Sequence, residues 1–395
     1  MTTHALSAFV RDRFTWLAYF MLAYYGYLQS SLGPLMPFLR AELDLNYTVG
    51  ALHLSAFALG MIIAGGTGER AAARLGRRRL FWLSGAGMAA GMLMLIALRH
   101  PILTITAALI MGTVGSYLLV MVQAGLADHH GALRALPLTE ANVIAMIAST
   151  CAPLFISTAE GIGIGWRAAL LIGGAWWMAQ YAVNRHVSIP DSANAQESSS
   201  SAAAAQRGSA ALPMRFWLFW MVVVFGVAIE WAIAFWGADF LHTAAGLDRV
   251  TASGIMSLYF FAMLIGRFVG SRLARTLPAP RLLYAAVGLV IVGFPPLWLG
   301  QSAPIQIAGL FVTGLGVANL FPLTLSLATG VDPAQANKAS ARVAMGAGVA
   351  ILAAPQILGA LADQVGIFGA FGAAAVLIGG ALVMTVWANR EEKAL

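Results

Sequence analysis

The stretch MRFWLFWMVVVFGVAIEWAIAFWGADFL, residues 214–241, decides the fold. Between Arg215 and Asp239 it holds one charged residue, Glu230. As a helix rising 1.5 Å per residue it would extend about 40 Å, longer than the ~30 Å hydrocarbon core of a bilayer. It reads as a transmembrane helix, and the rest of the chain agrees. Of 395 residues, 60% are hydrophobic and 10% charged, with a mean hydropathy of +0.80, which excludes ordinary water-soluble packing. The 42 glycines suit close helix approach and the 11 tryptophans suit interfacial anchoring. A span plus its connection takes about 30 residues, so the length fits a dozen crossings. The single cysteine, Cys151, cannot form an intrachain disulfide, and no Cys/His grouping has zinc or haem spacing, so no metal or cofactor is expected. The net charge of +7 is not read as a nucleic-acid footprint, because the basic residues sit in short gaps between apolar stretches.

Outward from residues 214–241, the apolar pattern predicts an all-α polytopic membrane protein of 12 transmembrane helices in two six-helix bundles. In the first bundle, residues 1–187, spans are predicted at Phe14–Leu39, Tyr47–Gly68, Leu80–Leu98, Ile102–Ala127, Thr139–Ala159 and Trp166–Val187. The first follows Arg11 and Arg13, is too long for a signal-peptide core and lacks a small-residue cleavage site, so no cleavable signal is expected. Residues 188–213, with their SSSS and AAAA runs, have the composition of a cytoplasmic linker. In the second bundle, residues 214–395, Met214–Leu241 is followed by Val250–Leu273, Leu282–Gly300, Ile305–Gly330, Ala339–Ala362 and Ile367–Ala388. With the N-terminus inside, eighteen of the 23 Lys and Arg residues face the cytoplasm, and only Arg40, Arg99, Arg167 and Arg249 face outward. This asymmetry places both termini and the linker in the cytoplasm of a cell (inner) membrane protein.

The two bundles repeat at an offset near 201: Arg74 matches Arg275, Gly65 matches Gly266 and Gly115 matches Gly316, while Pro153 matches Pro355 at 202. A parallel repeat of this kind predicts a solute path between the halves. Arg74-Leu75-Gly76-Arg77-Arg78 resembles the end of the signature between helices two and three of the major facilitator superfamily of secondary transporters. Glu69 and Ala73 stand where that family has Gly and Asp, and Ala274 occupies the same Asp position in the second half. Ala148 to Pro153 is similar to a fifth-helix antiporter pattern with both glycines replaced by alanine. Phe321-Pro322, Gly266-Arg267 and Gly165-Trp166-Arg167 look like elements of its sugar-permease-like members.

A charge inside the membrane costs roughly 2.5–3.5 kcal/mol on insertion scales, so each one marks a candidate site. Glu230 lies near the middle of its helix with Gly226, Ala234 and Gly237 on the same face, and it is the candidate for proton coupling and for anchoring solute. Subtracting 201 lands on Gln29, beside Tyr25. With Tyr117 and Asn319, on helices four and ten that the family architecture relates to these, and with Trp236 and Phe321, whose rings suit stacking on a sugar or aromatic solute, they form the predicted solute site; Ser116, Thr324 and Trp231 are further candidates. His53 is a second candidate for proton coupling, against a helix-packing role. Arg74, Arg77, Glu140, Arg267 and Arg342 are predicted for the inner gate; Glu140 and Arg342 correspond at the 202 offset. Asp239, Glu160 and Asp363 fall at outer helix ends and are expected to be solvated.

These residues predict a secondary active transporter of a small polar or amphipathic organic solute, acting as a monomer and coupled to protons. An exporter of drugs or metabolites is the alternative within transport, and a membrane sensor or binding protein the alternative outside it. No clustered nucleophile or acid–base constellation at one depth suggests an enzyme.

Overall fold

The computed structural model describes residues 9–190 and 211–390, and most of the predicted linker, 188–213, lies outside them. The described residues form α1 Arg13–Ser31, α2 Met36–Leu43, α3 Tyr47–Leu75, α4 Arg77–Ala97, α5 Pro101–His130, α6 Ala135–Gly161 and α7 Trp166–Asn184. After the linker come α8 Met214–Ala244, α9 Arg249–Leu273, α10 Ala279–Leu299, α11 Ala303–Gly330 and α12 Ala336–Arg390. Nine of these are long and apolar enough to cross a membrane. One of the nine, α12, is two spans joined at Gly366, whose φ of 76° breaks the helix. The 19-residue helices α1 and α7 complete the twelve expected crossings. Large apolar side chains such as Leu83, Val183, Val292 and Val376 are exposed, as a lipid-facing surface requires.

The first span is shorter than predicted. Instead of running from Phe14 to Leu39, the helix stops at Ser31, turns through residues 32–35, and restarts as α2. Pro34 cannot donate a backbone hydrogen bond and disfavours helical geometry at Gly33. Gly33 also presses against α8 so closely that a Cβ there would lie 2.1 Å from the Ala234 carbonyl oxygen. The break thus brings the α1–α2 corner onto the helix that carries Glu230.

Packing repeats between the halves. In the first, α1 packs on α6 and α3 on α5; in the second, α8 packs on α12 and α9 on α11. Across the halves, α6 meets α9 and α3 meets α12, the same pair of contacts related by the repeat. Small residues allow these approaches: a Cβ on Gly112 would lie 2.1 Å from the Phe57 carbonyl oxygen, and one on Gly266 2.5 Å from that of Leu315. Gly65, the sequence partner of Gly266, instead meets nothing within 4 Å.

The start of α1 and the end of α12, the terminal helices among the described residues, lie at one end of the bundle. There Arg77 and Arg78 donate to the carbonyls of Pro190 and Arg185, and Arg215 donates to that of Ala388. At the opposite end Glu42 pairs with both Arg99, at 2.9 Å, and Arg167, at 2.6 Å.

Candidate solute pathway

Between the halves lies a cavity of about 340 Å³. Among apolar side chains such as Leu22, Leu54 and Met61, the first half lines it with neutral polar groups: Gln29 and Ser30 of α1, Gln123 of α5, and Asn142 and Ser149 of α6. The second half contributes Trp231 and Phe235 of α8, Phe260 of α9 and the two charges, Glu230 of α8 and Arg267 of α9. The Arg267 guanidinium comes within 3.8 Å of the Glu230 carboxylate, longer than a charge-assisted hydrogen bond. Its Nε donates to the Ala318 carbonyl at 3.3 Å, and its Nη1 reaches only the Met146 thioether of α6, at 3.6 Å, across the halves. A thioether is a weak acceptor, so the guanidinium fork faces the cavity with donors in reserve. The Tyr259 hydroxyl donates to the backbone carbonyl of Glu230 and holds α8 against α9.

The cavity is closed at the end opposite the termini. Arg40 of α2 pairs with Asp239 of α8 at 2.6 Å, and its guanidinium carbon lies 3.4 Å from the Tyr47 ring centre. Asp363 of α12 accepts from the backbone N–H groups of Tyr47 and Thr48, each at 2.8 Å, and from the Thr48 hydroxyl. It therefore caps the N-terminus of α3 from the other half, where unpaired N–H groups and the helix dipole favour an anion. The Ser55 hydroxyl donates to the Leu352 carbonyl at 2.9 Å, and Gly254 packs on Ser157. Toward the termini the lining continues to Gln123 and Asn142, about two helical turns from the ends of α5 and α6. At that end Gly65 and Gly66 of α3 have no neighbour within 4 Å, and Arg74 and Arg342 are exposed.

The expectation that Asp239, Glu160 and Asp363 are solvated is corrected for Asp239, while Asp363 is exposed as expected and Glu160 is half-buried. Asp239 is buried and paired, Asp363 caps α3, and Glu160 accepts from the Trp166 N–H at the start of α7 at 2.7 Å. Each sits at a helix end as predicted; the donors to Asp239 and Asp363 come from the other half, and that to Glu160 from the start of the next helix.

A family model described as Major Facilitator Superfamily matches residues 15–329. The chain is a member of the Major Facilitator Superfamily. It is 27% identical over 362 residues to the uncharacterized transporter YycB of Bacillus subtilis (strain 168), covering 85% of this chain and 83% of that protein. Among solved structures it resembles the nucleoside transporter NupG, with a TM-score of 0.70 and 15% identity over 95% of this chain and 97% of that one. It also resembles a D-xylose-proton symporter, with a TM-score of 0.74 and 12% identity over 95% and 96% of the two chains. The protein is thus a polytopic membrane transporter rather than an enzyme.

In this superfamily member, three of the predicted solute-site residues, Tyr25, Gln29 and Glu230, line the cavity, together with Arg267. Others lie in the helix packing. Trp236 is fully buried and donates from its indole to the Pro355 carbonyl at 2.9 Å. Asn319 donates to the Gly266 carbonyl and fills the space beside Gly270. Tyr117 shares a 2.6 Å hydrogen bond with Thr67, and Phe321 packs partly buried against the core. Ser116 and Thr324 are buried outside the lining. His53 is buried, with Nε2 2.9 Å from the Thr104 hydroxyl and Nδ1 3.1 Å from the Gly50 carbonyl, a packing arrangement away from the cavity. Of the gate candidates, Arg77 pairs with Asp128 at 2.7 Å, and Glu140 pairs with Arg11 at 2.5 Å while accepting from the Tyr19 hydroxyl, all within the first half. The sequence reading passed over Gln123, Asn142 and Ser149 in the cavity. An amide inside an otherwise apolar span is the signal that finds Gln123, whereas Gln29 is reached through the repeat offset from Glu230.

Proposed function

We propose that this transporter carries a small polar or amphipathic organic solute by alternating access, with Glu230 as the proton-coupling group. The observation that carries the reading is that, among the described residues, one carboxylate lies in the central cavity, 3.8 Å from the one arginine that lines it. A carboxylate held between an apolar wall and a loosely placed cation is stable both charged and neutral, and the balance changes when the arginine moves or takes another partner. The halves, residues 1–187 and 214–395 joined by 188–213, rock about the α6–α9 and α3–α12 contacts. The arginine asymmetry supports cytoplasmic termini in the cell membrane, so the state described faces inward, with the Arg40–Asp239 pair as its outer closure.

Purified protein in sealed proteoliposomes tests this. Wild type should accumulate solute against its gradient when an inward proton gradient is imposed. Glu230→Gln, which mimics the neutral acid, should abolish accumulation while sparing solute exchange, in which the site never releases its proton. Normal gradient-driven accumulation in Glu230→Gln removes Glu230 from the mechanism. Accumulation independent of any proton gradient, or driven outward only, supports the exporter alternative.

A further inference from the structure

Building on that reading, we infer that the solute is a small organic monocarboxylate, held through its carboxylate by Arg267 and carried without net charge movement together with one proton on Glu230. The charge inventory of the cavity carries this. Among the described residues Glu230 and Arg267 are the acid and the base of the lining, so with Glu230 ionised the empty site is neutral. Titratable groups facing Glu230 are Arg267 and Tyr259 from α9 and Tyr25 from α1, and within ion-pair distance of its carboxylate the described residues place Arg267 alone.

Arg267 is built to change partners. Its single strong acceptor is the Ala318 carbonyl; the Met146 thioether and a carboxylate 3.8 Å away leave the rest of the planar fork free for a bidentate carboxylate. Its side chain is 39% exposed, and Arg267 lines the cavity. A cationic solute is disfavoured, because sitting at Glu230 would place it beside the guanidinium. A phosphate dianion would leave the site negative even with Glu230 protonated. An anion that displaces Glu230 from Arg267 leaves two carboxylates at one guanidinium unless Glu230 takes a proton from the aqueous side of the cavity. One proton then enters with one monoanion, and the loaded site is as neutral as the empty one. The cavity volume, at the low end for ligand pockets, suits a small body, with Trp231 and Phe260 for its apolar part and Gln29, Gln123 and Asn142 for hydroxyl or carbonyl groups.

The test pairs binding with transport. Full-length protein in detergent is titrated at millimolar concentrations with pyruvate, lactate and 4-hydroxybenzoate and with their carboxamides, following the fluorescence of Trp231, with Trp231→Phe as the control. At least one carboxylate should bind and its amide should not. Arg267→Gln should weaken that binding roughly 10- to 150-fold, the worth of a hydrogen bond to a charged group, and Arg267→Lys less. In proteoliposomes, uptake of the carboxylate that binds should follow the pH gradient and ignore a potassium–valinomycin potential. The inference is overturned if no carboxylate binds, if amides bind equally, if Arg267→Gln leaves affinity unchanged, or if uptake carries charge. A neutral solute accumulated through Glu230 would overturn it and leave the proton-coupled reading standing. Carboxylate binding with no solute movement in either direction would remove the transporter mechanism instead.

Discussion

Asp239 and Arg40 show how much a single pair can weigh in a membrane protein. Their side chains are 4% and 14% exposed, and they join α8 to α2 across the halves at 2.6 Å. Removing one partner of a buried pair costs about 3–5 kcal/mol, because the other charge is left without compensation. Only the state closed at this end contains the pair, so Asp239→Asn should shift the population toward the opposite facing state, by more than 100-fold if about 3 kcal/mol is lost. Spin labels at Gly161 and Val250, which approach each other at this end, would report the shift as a longer distance distribution. Identical distributions in mutant and wild type would show that the pair does not hold the closure.

At the scale of single helices, ends and breaks matter more than interiors. Asp248 caps α9, accepting from the Thr251 N–H at 2.9 Å and from its hydroxyl at 2.6 Å. Those bonds to Thr251 hold its carboxyl below the usual carboxylate range. A depressed folded value means that the cap stabilises the protein above the unfolded value, about 3.9, and that the contribution is lost as pH falls through the lower folded value. Asp248→Ala should cost about 1 kcal/mol at neutral pH and less in acid, read as the shift in thermal unfolding in detergent at the two pH values. Equal shifts at both would show that the charge of the cap is irrelevant. Gly33→Ala tests the break between α1 and α2. With a Cβ 2.1 Å from the Ala234 oxygen, α1 and α8 must separate, so the substitution should disfavour the described state and lower its melting temperature well beyond a typical surface change.

For the molecule as a whole, the closed end should behave as one rigid contact that must open in every cycle. A Cβ on Gly254 would lie 3.0 Å from that of Ser157, near disulfide range. In a Cys151→Ser background, oxidised Ser157→Cys/Gly254→Cys should stop transport, and reductant should restore it. Undiminished transport in the cross-linked protein would mean that this end never separates. Sidedness is tested apart from this: cysteines at Ser199 and Gly246 should label from opposite faces with an impermeant reagent, and labelling of both from outside would refute the proposed topology.

The sequence by itself determined the twelve spans, because a run of about 20 apolar residues in lipid must satisfy its backbone as a helix whatever surrounds it. It also marked Glu230 and Arg267 by the cost of a charge inside a span, Arg267 as a gate residue, and Gln29 by the repeat offset from Glu230; the structure lines one cavity with all three. Faces were another matter. Residues 214–241 are apolar almost all round, so nothing in them says which side meets a neighbour, and Trp236, about two turns from the end of α8, turns toward Pro355 rather than the cavity. Pro34 marks the corner locally, but that Gly33 lies against α8, closer than a side chain permits, is not legible in the sequence. Asp239 reads as a solvated helix end because its partner, Arg40, is distant in sequence and arrives only when the halves pack, and for the same reason the bonds that exposed Asp363 accepts from the start of α3 are not legible. Tertiary structure alone decided these placements, because helix rotation and the pairing of ends are set by contacts between helices, which local composition does not encode.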